Sequence, residues 1–222
     1  MAILTIMLIA SISISSVYAF FNPEFAEANT FDINQIKTKK QYGRIITSAF
    51  IHKDIPHLFF NMFTLYSFAQ YMEVEYSSLI IFASFFLSVI GGNLFSLFKN
   101  RKNNNYRAIG ASGGVCGIIY SSLILMEGGN IYLMFIPVPV PDRVYAVSFV
   151  LVSYYLMKKG ADNIGHDAHL GGAFTGTVFA ICIIPWIIRQ EYMLIISMFI
   201  PFVAILIYEA LTRRNALKRN RE

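Results

Sequence analysis

Residues 77–98 read Ser77-Ser-Leu-Ile-Ile-Phe-Ala-Ser-Phe-Phe-Leu-Ser-Val-Ile-Gly-Gly-Asn-Leu-Phe-Ser-Leu-Phe98, without a charge between Glu75 and Lys99. A helix rises about 1.5 Å per residue, so about 20 apolar residues cross the hydrocarbon core of a bilayer. Six more apolar runs flank this one: Ala2–Phe21, His57–Met72, Ser112–Met126, Val144–Met157, His169–Ile188 and Tyr192–Leu211. The pattern predicts an all-α, polytopic transmembrane helix bundle of six core helices and a C-terminal seventh. The run from Ser112 is short for a full crossing, which is tolerated where a helix end faces a water-filled cavity inside protein.

Bulk composition agrees. Of the 222 residues 56% are hydrophobic and 14% charged, with a mean hydropathy of +0.55; a soluble domain carries about 25% charged residues. The net charge is +5, but Lys and Arg lie almost entirely between the apolar runs, the layout of membrane flanks and not of a nucleic-acid patch. Cys116 and Cys182 both fall inside apolar runs, which argues against a structural disulfide. The N-terminal run ends in Val17-Tyr18-Ala19, similar to a signal-peptidase site, but it has no basic leader and is long; retention is expected. Phe25, Phe31, Ile33, Ile36 and Tyr42, in the polar stretch 22–56, suit the membrane interface. With no repeat and no linker, residues 1–222 read as one membrane domain, with a core of about 44–188 and the extra helix at about 192–211.

Polar residues inside membrane spans are costly, so each is a functional candidate. Three groups stand out: His57 with Asn61, Gly110-Ala-Ser112-Gly113, and His166-Asp-Ala-His169-Leu-Gly-Gly172. They open the second, fourth and sixth runs. Those three runs cross in the same direction, so the groups share one side of the bilayer. Gly113 and Gly117 follow Ser112, and Gly172 and Gly176 follow His169; small residues four apart let helices approach closely. Ser112 and His169 are thereby drawn toward the nucleophile–base relation. Alone, Ser112 would more often be a helix-interface residue and His169 an interhelical hydrogen-bond partner; the joint spacing reverses both readings.

On these residues the chain resembles the rhomboid intramembrane serine proteases. The matches are Gly-x-Ser-Gly at Gly110–Gly113, Ala-His-x-x-Gly-x-x-x-Gly at Ala168–Gly176, and His-x-x-x-Asn at His57–Asn61, with His52 and Arg44 upstream and Phe135–Pro141 similar to the family's fourth loop. The resemblance implies a serine endopeptidase with Ser112 as nucleophile and His169 as general base, and an oxyanion hole from His57, Asn61 and the Ser112 N–H. It implies transmembrane protein substrates met within the lipid bilayer, no cofactor and a multi-pass protein of the cell membrane. A catalytically quiet relative that binds transmembrane clients is the alternative. His52 reads as a loop-ordering residue. His166 and His169 lack a zinc-protease spacing, so no metal is expected, and Asp167 falls on a different helix face from His169. The chain departs from the family at Gly43, where Trp often precedes Arg, and at Cys116, where many members place an aromatic that stacks on the catalytic histidine.

Orientation gives two opposed expectations. Apart from Arg143 and Arg189, every Lys and Arg follows the first, third or fifth run or lies in the tail, on the Ser112 side. The positive-inside rule places that side in the cytoplasm; the resemblance implies the opposite.

Overall fold

In the computed structural model, the described residues are 3–125, 129–132, 138–159 and 165–219; Met126 and the first three residues of the Phe135–Pro141 stretch lie outside them. Asparagine and aspartate punctuate the start of the chain. Helix α1 (Ile3–Phe21) is followed at once by α2 (Pro23–Asn29), whose first turn is capped by the Asn22 side chain accepting from the Phe25 N–H. A two-residue strand β1 (Phe31–Asp32) leads into α3 (Ile33–Lys39), where Asp32 accepts from the Gln35 N–H at 2.9 Å. A short α4 (Arg44–Thr47) and a 3-10 turn at Ser48–Phe50 complete this membrane-flanking module.

Asp54 then caps α5 (Ile55–Met72) by accepting from the His57 N–H at 2.8 Å, with Pro56 in the first turn, where its missing N–H costs nothing. The second run therefore begins two residues before His57. Helix α6 (Ser78–Lys99) is the charge-free run, and β2 (Arg107–Ala108) pairs antiparallel with β1. Helix α7 (Ser112–Leu125) follows, then the β3 (Asn130–Tyr132) and β4 (Pro139–Pro141) ribbon, and α8 (Asp142–Lys159).

Helix α9 (His166–Ile183) starts three residues earlier and stops five earlier than the sixth apolar run. The early stop has a local cause: Pro185 disfavours helical backbone at the residue before it, and Ile184 is non-helical. The one-turn α10 (Ile187–Gln190) and then α11 (Tyr192–Arg219) close the chain; α11 outlasts its apolar run and contains Pro201.

Among the described residues, two helices, Ile3–Phe21 and Ser78–Lys99, are by themselves long and apolar enough to cross a membrane; α7 and Tyr192–Tyr208 are shorter apolar segments. The tightest packing joins α6, α7 and α9. Every residue of α7 after Ser112 is buried, making it the central post of the bundle. Glycines set this closeness: a Cβ on Gly172 would lie 2.0 Å from the Gly113 carbonyl oxygen, and one on Gly176 2.2 Å from that of Gly117. Inside the trio Ser84 donates to Ser121 Oγ (2.7 Å), whose own proton goes to the Gly176 carbonyl (3.0 Å). Three helices are thus tied where water cannot compete, each such bond adding about 0.6 kcal/mol in a membrane interior.

Candidate active site

Helix α7 has 14 residues and is about 21 Å long, well short of the roughly 30 Å hydrocarbon core. Ser112 is its first residue. Ser112 Oγ lies 2.7 Å from His169 Nε2, which sits in the first turn of α9; both side chains are half-buried. The first-turn N–H groups of α7, beginning with that of Ser112, have no acceptor within the helix.

The turn before Ser112 is held from above. Gly110 has φ 121°, a backbone that L side chains rarely adopt, and a Cβ there would lie 2.6 Å from His57 Cε1. Only glycine meets both demands, and the close approach shows the His57 ring lying over this turn. Asn61, one turn along α5 and buried, donates to the His57 carbonyl at 3.0 Å and keeps a second amide N–H. The structure thus gathers Gly110, Ser112, His57 and His169 at one end of the bundle, with Asn61 on the His57 face of α5.

His52 reaches this turn too. Its Nε2 accepts from the Ala111 N–H at 3.2 Å, so Nδ1 carries the proton and donates to Ser16 Oγ (2.8 Å), which donates onward to the Phe50 carbonyl (2.9 Å). Burial and the neighbouring His57 lower the His52 pKa from 6.5 to about 3, with Asp54 opposing, which keeps the ring neutral as the relay requires. Gly110 itself donates to the Ser48 carbonyl at 2.9 Å.

A second anchor fixes α9. Asp167 is 3% exposed; it accepts from Tyr106 Oη (2.6 Å) and from the Asn100 amide. The Tyr106 phenol is shifted upward from its ordinary pKa of 10, by burial first and then by the Asp167 charge, so it stays a donor. Its ring packs edge-on against Phe31, within a small cluster of Phe31, Ile33 and Ile36. Asp167 therefore faces away from His169 into the 100–106 loop. The His166 ring meets the His169 ring edge-to-face at 5.4 Å. Arg44 is buried and donates to the Gln41 side chain and to the Glu27 and Thr30 carbonyls.

Several of these partners carry little sequence signal. Ser16, Tyr106 and Asn100 are ordinary residue types at large separations, visible only once the chain is folded. Asn93 inside the charge-free run does have a signal: it donates to the Ile45 carbonyl (2.7 Å) and Ser48 Oγ (3.2 Å), fastening the flanking module to α6. Its neighbour Gly92 does as well, since a Cβ there would lie 2.5 Å from the Ala168 carbonyl oxygen.

A helical bundle with a buried central helix and a serine–histidine pair at that helix's start defines a class of polytopic membrane protein, and comparison with known proteins gives the family. The Rhomboid domain matches residues 39–186, two thirds of the chain, and this protein belongs to that family. It is an integral, multi-pass membrane protein. The chain is similar to the mitochondrial RHOMBOID-like protein 12 of Arabidopsis thaliana, 26% identical over 188 residues, covering 78% of this chain and 55% of that one. It is also similar to the mitochondrial Rhomboid protein 1 of Saccharomyces cerevisiae, 29% identical over 138 residues, covering 61% and 40%. The Inactive RHOMBOID-like protein 8 of Arabidopsis thaliana is 34% identical over 89 residues, 40% of this chain and 25% of that one. The chain spans about half or less of the length of these relatives.

Proposed function

We propose that this protein is an intramembrane serine endopeptidase that cleaves transmembrane helices of membrane proteins, working in the cell membrane. The observation that carries the reading is the 2.7 Å contact between Ser112 Oγ and His169 Nε2 at the start of α7. In this mechanism Ser112 Oγ attacks the scissile carbonyl carbon while His169 Nε2 takes its proton. The carbonyl oxygen becomes an oxyanion, received by the Ser112 N–H, the Asn61 amide and the His57 ring. His169 then returns the proton to the leaving amine as the C–N bond breaks. A water molecule, deprotonated by His169, hydrolyses the resulting ester and restores Ser112.

The partial exposure of the two side chains supports the same reading: hydrolysis needs water, and neither Ser112 nor His169 is sealed from it. The matched relatives include one named inactive, which keeps client binding without hydrolysis as the second reading.

The test is cleavage of a model transmembrane substrate by detergent-purified protein, with fluorophosphonate labelling in parallel. Cleavage and labelling should be lost in Ser112→Ala, and cleavage in His169→Ala, with the fold retained. Asn61→Ala should lower kcat about 10²–10³-fold, the usual cost of one oxyanion donor. Cleavage that survives Ser112→Ala would sink the serine mechanism. Neither cleavage nor labelling by the wild type would favour the client-binding reading.

A further inference from the structure

Helix α9 turns Gly172 and Gly176 toward α7, so Leu170 and Phe174, about 200° round the helix, face the other way. A groove of about 620 Å³ opens on that side, between α6, α9 and α11. Its α11 wall, at Phe202, Ile205 and Leu206, stands off because α11 packs mainly on α8. The edge-to-face pair of Phe174 and Phe202, at 5.5 Å, joins α9 to α11 beside it.

The groove is an apolar trough with charge at one end. Along α6 its lining runs from Gly91 to Lys99, a rise of about 12 Å, most of one leaflet's share of a roughly 30 Å hydrocarbon core. Besides Lys99, the polar side chain among the lining residues is Thr175, whose hydroxyl already donates to the Gly171 carbonyl at 2.8 Å. Lys99 ends α6, a helix of 22 residues and so long enough to span the whole core, which puts its ammonium at headgroup depth. Arg101 lies just beyond, its guanidinium 4.9 Å from the centre of the Phe98 ring, and Phe98 lines the groove. Helix α8 runs in the same direction as α6, brings Met157 to the lining and ends in Lys158 and Lys159. The cations therefore share the end at which the trough meets the headgroup layer. Asp167, the carboxylate that opens α9 at this end, is already engaged by Tyr106 and Asn100.

We propose that the groove is a binding site for an anionic phospholipid, with one acyl chain along α6 between α9 and α11 and the phosphate at Lys99 and Arg101. Charge complementarity selects this occupant. An apolar transmembrane helix would cover the trough but leave the cations at its end unmatched. A free anion would match the cations and leave the trough uncovered. An amphiphile with a negative head satisfies both, and basic pockets between membrane helices recognise such headgroups. The bound chain fills the space that α11 leaves open and ties that helix to α6 and α9. The site uses neither Ser112 nor His169, so it stands apart from their reading as a catalytic pair.

The experiment uses the full chain in neutral detergent, with Trp186→Phe removing its single tryptophan. Two reporters are then compared: Leu206→Trp, in the groove, and Ile207→Trp, exposed at the next position and outside it. Fluorescence quenching by phosphatidylglycerol with brominated chains is set against quenching by phosphatidylcholine with the same chains. Leu206→Trp should reach half-quenching at about tenfold less phosphatidylglycerol than phosphatidylcholine, the scale of attraction that two basic side chains supply. Ile207→Trp should not discriminate between the lipids. Lys99→Gln combined with Arg101→Gln should abolish the preference, and inorganic phosphate should not compete. Native mass spectrometry of the unmodified protein should show one retained phosphatidylglycerol, a readout that depends on no substitution. Equal quenching of Leu206→Trp by the two lipids would overturn the site, as would a preference that survives the double substitution or is shared by Ile207→Trp. Protection of Leu206→Trp from both lipids, with Ile207→Trp quenched, would overturn it in favour of a protein occupant. Displacement by inorganic phosphate would reduce it to an anion site, and no retained phosphatidylglycerol on the unmodified protein would remove it.

Discussion

At the scale of single residues, two groups above Ser112 have sharply defined requirements. His52 must be neutral, because its Nε2 accepts the Ala111 N–H. Its folded pKa is lowered to about 3 from 6.5, so between those values the unfolded chain binds the extra proton. Its contribution to stability is therefore complete above pH 6.5 and declines as pH falls from there toward 3. Unfolding midpoints of wild type and His52→Asn across pH 4–8 should differ most at the alkaline end, with the variant showing the shallower pH dependence. Breaking the relay also leaves a buried N–H without its acceptor, at a cost of about 1–3 kcal/mol. Gly110→Ala meets two obstacles, the positive φ and the His57 ring. It should cost about 1–3 kcal/mol in backbone strain, read from thermal unfolding, and displace His57 from the turn, lowering kcat. The three polar groups at His57, Ser112 and His169 were legible because a polar residue at membrane depth is conspicuous. Ser16 was not: a serine is cheap in a span, and its partner His52 is 36 residues away.

At the scale of elements, the α7–α9 contact carries the geometry of the site. Gly172 and Gly176 touch the α7 backbone, and any side chain there must push the helices apart. Gly172→Val should strongly lower the unfolding midpoint and abolish fluorophosphonate labelling, since moving α9 outward carries His169 away from Ser112. The N-terminus of α9 is fixed separately by Asp167 and Tyr106. Tyr106→Phe removes one bond to a buried carboxylate and should cost about 1.5–3 kcal/mol of stability, with a smaller loss of labelling than Gly172→Val. Four-residue glycine spacing made the α7–α9 pairing readable in advance. Helix ends were less readable, because hydropathy reports the membrane and not the caps: Asp54 starts α5 before the apolar run, and Pro185 stops α9 inside it.

At the scale of the whole molecule, the basic groups gather at the Ser112 end. Lys37 donates to the Arg101 carbonyl there, while Arg143 pairs with Glu191 on the other side. The positive-inside rule predicts that the Ser112 end faces the cytoplasm. In intact cells carrying Cys182→Ser, a cysteine at Asn103 should then be shielded from an impermeant thiol reagent, and one at Arg189 should react. The reverse labelling would support the orientation that the family resemblance implies. By itself the sequence determined the membrane class, the number of apolar runs and the three polar groups. Those follow from local chemistry: charge-free runs of spanning length, and ionisable or glycine-rich motifs where lipid would otherwise exclude them. Tertiary structure alone decided which distant groups meet. Examples are Ser16 with His52, Tyr106 with Asp167, and Phe149 with His169. Each pairing depends on the angle and register at which two helices or loops pack, which are set by the sum of many small contacts and leave no mark on either residue's neighbours in the chain.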